Sequence, residues 1–205
     1  MSEAPTQEAP TRGPAEHVVR DQIVEAAHEC FARYGYRKTT VSDLAREIGF
    51  SKAYIYRFFE SKQAIGEAIC SRCLGTVTSA VYEALAESKS ATEKLRRMLR
   101  TITQKTTEIA FQDERLYEIA AYSCAEMWPS ATAYMEEVSV ILAGIIQEGR
   151  TSGEFERKTP LDEAVRAIMQ VYQPFMNPVM LQYNLDAVPD GANEVTSLVL
   201  RSLAP

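Results

Sequence analysis

Residues 40–62 read TVSDLAREIGFSKAYIYRFFESK, and the spacing of their caps, glycine and apolar positions decides the fold. Thr40-Val41-Ser42-Asp43 has the pattern of a capping box: the Thr40 hydroxyl can accept a free backbone N–H, and Asp43 can reach back to close the pair. Val41, Leu44, Ala45 and Ile48 then recur at helical spacing, which predicts a helix of about two turns with that stripe buried. Gly49 breaks it. Ser51 caps a third helix, expected over Lys52 to Phe59, and Ser61 caps a fourth that runs to about Glu87. Upstream, Ile23, Ala27, Cys30, Phe31 and Tyr34 form the stripe of a longer first helix, which Gly35 ends. A long helix followed by two short ones joined at a glycine is the arrangement of a helix-turn-helix.

The third helix has two unlike faces. Counted from Lys52 at roughly 100° per residue, Ile55 and Phe59 fall near 300° and 340° and must face the core. Arg57 falls on the opposite side at roughly 140°, between Ala53 at roughly 100° and Tyr54 at roughly 200°. Lys52 and Tyr56 lie at the boundary. Arginine can donate two hydrogen bonds to guanine O6 and N7, Ala53 and the Tyr54 ring can touch a thymine methyl, and Tyr56 can reach a phosphate. The free N–H groups at the helix starts, marked by Thr40, Ser51 and Ser61-Lys62, add anion sites, and Arg37 and Lys38 add charge for phosphates.

The rest of the chain is consistent with a small reader on a larger body. Net charge is +2 over residues 17–62, against −2 before and −6 after them. A positive segment on an acidic chain is the distribution expected of a nucleic-acid-binding head. With 46% hydrophobic and 24% charged residues among 205, disorder over the whole length is excluded. No apolar run approaches the roughly 20 residues of a membrane helix; Val140 to Ile146 is short and contains Gly144. No secretory signal is expected, and four cysteines are too few for a disulfide scaffold, so the chain reads as cytoplasmic, on the nucleoid when DNA-bound.

Residues 1–15, with Pro5, Pro10 and Pro14, read as a flexible tail. Further helices are expected at 91–111, 114–127, 130–152, 161–182 and 192–203, with a break at Gln112–Asp113 and with Thr159 as a cap before Pro160. No alternating run bounded by hairpin turns occurs. The expectation is an all-α chain of about nine helices: a head over 16–76 and a body over 77–205.

The stretch Ile23 to Ile69 resembles the TetR/AcrR family of bacterial one-component transcriptional regulators. The matching residues include Ala26-Ala27, Phe31, Gly35-Tyr36, Thr39-Thr40, Asp43-Leu44-Ala45, Ile48-Gly49, Ser51-Lys52, Ile55-Tyr56, Phe58-Phe59 and Ser61-Lys62. Three positions depart from the family's usual pattern: Ala53 where Gly is common, Tyr54 where a small Thr or Ser is common, and Arg57 where His is frequent. These bear on the operator sequence rather than on DNA binding. The resemblance implies a homodimer on a pseudo-palindromic double-stranded operator. It also implies a helical body that binds a small-molecule effector and dimerises through its last two long helices. Stripes at Ala164, Ile168, Val171, Phe175 and Val179, and at Val195, Leu198 and Val199, would allow it.

Phe111, Tyr117, Tyr122, Met127, Trp128, Tyr172, Phe175 and Met176, with Met135, are candidate lining for an effector pocket, and core packing explains the same list equally well. They would suit an apolar or aromatic effector. Cys70 and Cys73, three apart on the fourth helix, read as buried structural thiols, with a redox switch as the alternative. His17 and His28 are the only histidines, so no metal or other cofactor is expected, and no nucleophile–base pairing or phosphate loop marks an enzyme. The rival readings are a helical small-molecule-binding protein whose head has lost DNA binding, and a regulator that senses thiol oxidation.

Overall fold

In the computed structural model, residues 16–111 and 114–205 are described. The expected tail over 1–15 and the break at Gln112–Asp113 lie outside them. The described residues form ten α-helices and one 3-10 turn. They run α1 (Glu16–Tyr34), α2 (Val41–Ile48), α3 (Lys52–Tyr56), α4 (Lys62–Ala86), α5 (Ala91–Phe111), α6 (Glu114–Ala125) and α7 (Pro129–Ser152). Then come α8 (Leu161–Met176), α9 (Pro178–Leu181), the 3-10 turn Leu185–Ala187 and α10 (Asp190–Ser202). No strand occurs among the described residues, and the all-α architecture is as expected.

The local signals explain the boundaries. At Thr40 both halves of the capping box are formed: Asp43 N–H donates to Thr40 Oγ1 at 3.2 Å, and Thr40 N–H donates to Asp43 Oδ2 at 3.0 Å. Ser51 Oγ accepts from Tyr54 N–H at 3.1 Å, and Ser61 Oγ accepts from Ala64 N–H at 3.0 Å. Gly35 and Gly49 stand at φ +85° and +76°, the left-handed region that glycine enters without steric cost.

Four expected boundaries are corrected. The third helix stops at Tyr56, and Arg57 and Phe58 continue as a turn. The sixth stops at Ala125. The expected 161–182 helix splits at Asn177, which takes φ −90° and ψ 117° because the ring of Pro178 disfavours helical backbone before it. Pro174, by contrast, is carried inside α8. Thr159 is not the cap: α8 begins after Pro160, whose carbonyl accepts from Ala164 N–H at 3.0 Å.

Two apolar cores result. One gathers Ile23, Ala27 and Phe31 of α1, Leu44 of α2, Ile55 of α3, Phe59, and Ile65 and Ile69 of α4. The other gathers Val77 and Val81 of α4 with Leu95, Met98, Ile102, Leu142, Ile146 and Tyr172 from α5, α7 and α8. Helix α4 serves both. So, from the other direction, does the α6–α7 corner: Ile119 and Trp128 belong to the first core, and the indole is 2% exposed there.

Candidate functional site

Two features stand out: the exposed face around α3, and a cavity between the two cores. Ile55 on α3 is fully buried and Phe59, just beyond it, nearly so, and this fixes what the helix turns outward. Lys52, Ala53, Tyr56 and Arg57 are exposed, as are Arg37, Lys38, Thr40 and Ser51. Arg57 stands over the Tyr54 ring at 5.5 Å from its centroid, and Lys52 over Tyr56 at 5.8 Å. These cation–π contacts hold two cations near one surface without neutralising them. Arg20 of α1, which the sequence reading passed over, stacks over Phe59 at 4.6 Å and adds a third.

Two of the sequence candidates are less accessible than the rest. Tyr54 is half-buried, the middle ring of an edge-to-face series with Phe50 at 5.1 Å and Phe58 at 5.3 Å. Its position near the side of the helix, rather than opposite the core, lets the turn after α3 fold back onto it. Lys62 is also half-buried. Its ammonium donates to the Tyr36 carbonyl at 3.0 Å and lies 4.5 Å from the Tyr36 ring centroid, and burial pulls its pKa down. It ties the start of α4 to the turn after α1.

The same turn meets α6. Arg37 N–H donates to Glu118 at 3.5 Å, and the Arg37 guanidinium lies over Tyr122 at 5.6 Å. Tyr36 sits 5.1 Å from Phe31, 5.5 Å from Tyr122 and 5.9 Å from Trp128, centroid to centroid. A methyl on Gly66 would stand 2.8 Å from the Trp128 ring, so only glycine lets α4 and the indole approach this closely.

The cavity has a volume of about 380 Å³. It follows α4 from Ile69 to Val77, a length of about 12 Å at the rise of a helix. Helix α1 contributes His28, α6 contributes Ile119, Ser123 and Cys124, and α7 contributes Tyr134 and Met135. Gln173, Met176 and Asn177 line it as well. Among the described side chains no Lys, Arg, Asp or Glu lines it. The Tyr134 hydroxyl is buried with no hydrogen-bond partner among the described residues, and burial pushes its pKa well up.

Of the aromatic and methionine candidates, Met127 and Met176 line this cavity, as does Met135. The other six do not. Phe111 and Tyr117 stack on each other at 5.6 Å, Tyr122 and Trp128 pack on Tyr36, and Tyr172 lies in the second core beside Phe175 with its hydroxyl 3.1 Å from Thr103 Oγ1. Large rings fill space in a close-packed interior, so the void is left beside smaller side chains. Cys70, Cys73 and Cys124 line it instead. No metal-holding group of three His, Cys, Asp or Glu occurs among the described residues, and none of their helices is long and apolar enough to cross a membrane.

Comparison with known proteins agrees with this arrangement. Residues 23–69 match the family model described as bacterial regulatory proteins, tetR family, and residues 91–193, half the chain, match the tetracyclin repressor-like C-terminal domain. The fatty acid metabolism regulator protein of Bacillus subtilis is 27% identical over 139 residues, 66% of this chain and 70% of that one. The transcriptional repressor KstR2 of Mycolicibacterium smegmatis is 26% identical over 156 residues, 73% of each chain. The crystal structure of the TetR family regulator PfmR from Thermus thermophilus superposes with a TM-score of 0.62 at 26% identity, covering 91% of this chain and 97% of that one. An exposed cationic helix on a buried apolar anchor, joined to a helical body that the C-terminal model matches, places this chain in the TetR family of DNA-binding transcriptional regulators, not among enzymes.

Proposed function

We propose that the chain is a ligand-responsive repressor: residues 16–76 read a pseudo-palindromic operator, and residues 77–205 dimerise and bind a small apolar or aromatic effector. The observation that carries it is Arg57, exposed at the end of α3 while Ile55 and Phe59 are buried behind it. Two such helices in a homodimer would enter successive major grooves. Arg57, Ala53 and Tyr56 are assigned to the bases and nearby phosphates, with the accessible edge of Tyr54. Lys52, Arg37, Lys38, Thr40 and Ser51 are assigned to the phosphates. Lys62, committed to Tyr36, holds the head together and is ranked below them. The repressor sense is supported by the relatives named as such. The protein would act in the cytoplasm, on the nucleoid when bound.

The effector site is the cavity along α4. Because its wall is shared by Ile69 of the first core and Val77 of the second, an occupant touches both at once. An effector that favours an arrangement unsuited to DNA shifts the population by its differential affinity and by nothing else. The test is a gel shift on the duplex upstream of the chain's own gene at two salt concentrations. Arg57→Ala is expected to cost about 1–3 kcal/mol and relax preference at one base position, whereas Lys38→Ala weakens all sequences and lowers the salt slope by about one. Equal loss of discrimination from both changes, or no binding by the wild-type chain, would overturn the reading.

A further inference from the structure

The cavity gathers chemistry that effector binding alone does not require. Three of the chain's four cysteines, Cys70, Cys73 and Cys124, line it together with His28, one of its two histidines. Cys30 does not reach it and is buried on α1. We propose that the cavity is also a covalent capture site, in which Cys73 adds to an uncharged lipophilic Michael acceptor, an α,β-unsaturated ketone or aldehyde. This rests on reading the cavity as the effector site. In the step, Cys73 Sγ bonds to the β-carbon as the conjugated C=C π bond breaks. The thiol proton ends on the α-carbon, so no oxidant and no leaving group are needed.

The choice among the thiols follows from their surroundings. Cys70 is buried, and desolvation pushes its pKa to about 12, which keeps it inert at neutral pH. Cys73 and Cys124 are half-buried and also pushed up by desolvation, but Cys73 stands midway along the Ile69–Val77 stretch of α4 that runs the length of the cavity, so a lodged ligand lies against it. Protonated thiols in an apolar wall react slowly with charged reagents from water, since such a reagent must shed its hydration to reach them. A lipophilic acceptor lodged beside Cys73 gains the advantage of proximity.

The full-length protein is treated with benzylideneacetone or with its ring para-carboxylate; adducts are then trapped by borohydride and mapped by peptide mass spectrometry. The expected result is a single adduct on Cys73, formed at least about tenfold faster with the uncharged ketone, the ratio that 1.4 kcal/mol of discrimination gives. The Cys73→Ser variant, checked for an unchanged melting curve, should lose it. On the wild-type chain an excess of 1-decanol, apolar and unreactive, should slow labelling. Preferential labelling of Cys30 or Cys124, equal rates for the two ketones, or no protection by decanol would each overturn the proposal. DNA binding of labelled and unlabelled protein is read in parallel. An unlabelled chain that binds no DNA refutes the proposed function and leaves the labelling outcome to be judged on its own.

Discussion

Met127 shows what single residues contribute at the joint between the two cores. It is not a glycine, yet its backbone stands at φ +47°, and its side chain is 78% exposed at the rim of the cavity. The hydrogen bonds from Trp128 N–H to the Ser123 carbonyl at 3.0 Å and from Met127 N–H to the Cys124 carbonyl at 3.4 Å form the paired closure of a helix end that glycine usually completes. Left-handed backbone costs an L-residue roughly 1–2 kcal/mol, part of which glycine's larger unfolded-state entropy would offset. Met127→Gly is therefore expected to raise the free energy of unfolding by up to about 1 kcal/mol, read from denaturant titrations. An unchanged or lower midpoint would show that the side chain holds the turn by its own contacts. The strain falls where α6 must end abruptly so that Trp128 can reach Gly66.

At the scale of elements, the caps and glycines of the first four helices were the most legible part of the sequence. Thr40 and Asp43, Ser51, Ser61, Gly35 and Gly49 each act within a few residues of themselves, so their meaning does not wait on the rest of the chain. The N-terminus of α5 has such a local cap too, Ser90 Oγ accepting from Glu93 N–H at 3.1 Å, but it is also capped from far along the chain. Its Ala91 and Thr92 N–H groups donate at 3.1 and 3.0 Å to Glu154, which arrives from the far end of α7. No local pattern announces a cap brought from such a distance. Those backbone donors, Thr92 first, hold the Glu154 pKa at about 2 against its ordinary 4.5. A depressed carboxylate stabilises the fold above its unfolded value and loses that contribution as pH falls through the folded one. Glu154→Gln should thus lower the melting temperature at neutral pH. The gap to wild type should narrow as pH drops from 4.5 towards 2; a gap independent of pH would remove the carboxylate's charge from the explanation. The cavity was illegible for a related reason. Its wall draws on helices from α1 to α9, and periodicity shows which residues face inward without showing where the packing stops short.

For the whole molecule, six of the eight residues in the expected interface stripes divide into two sets, with Val179 and Val195 half-buried between them. Ala164, Ile168 and Phe175 of α8 and Val199 of α10 are buried in the chain's own second core. Val171 and Leu198 are left 51% and 60% exposed on the same two helices, which pack against each other. If these residues meet their copies in a homodimer, the double variant Val171→Glu, Leu198→Glu should sediment as a monomer. It should bind the operator about a hundredfold more weakly, since the second head no longer benefits from the first. A double variant that remains dimeric would place the interface elsewhere.

Trp128 is the chain's single tryptophan, and it lies where the α6–α7 corner enters the core behind α3. Its emission therefore samples that seam and no other part of the protein. A fluorimeter, with no dye attached, can follow whether a compound added from outside loosens the indole from its neighbours. A fragment cut after residue 76 would carry an indole-shaped hole in its interior.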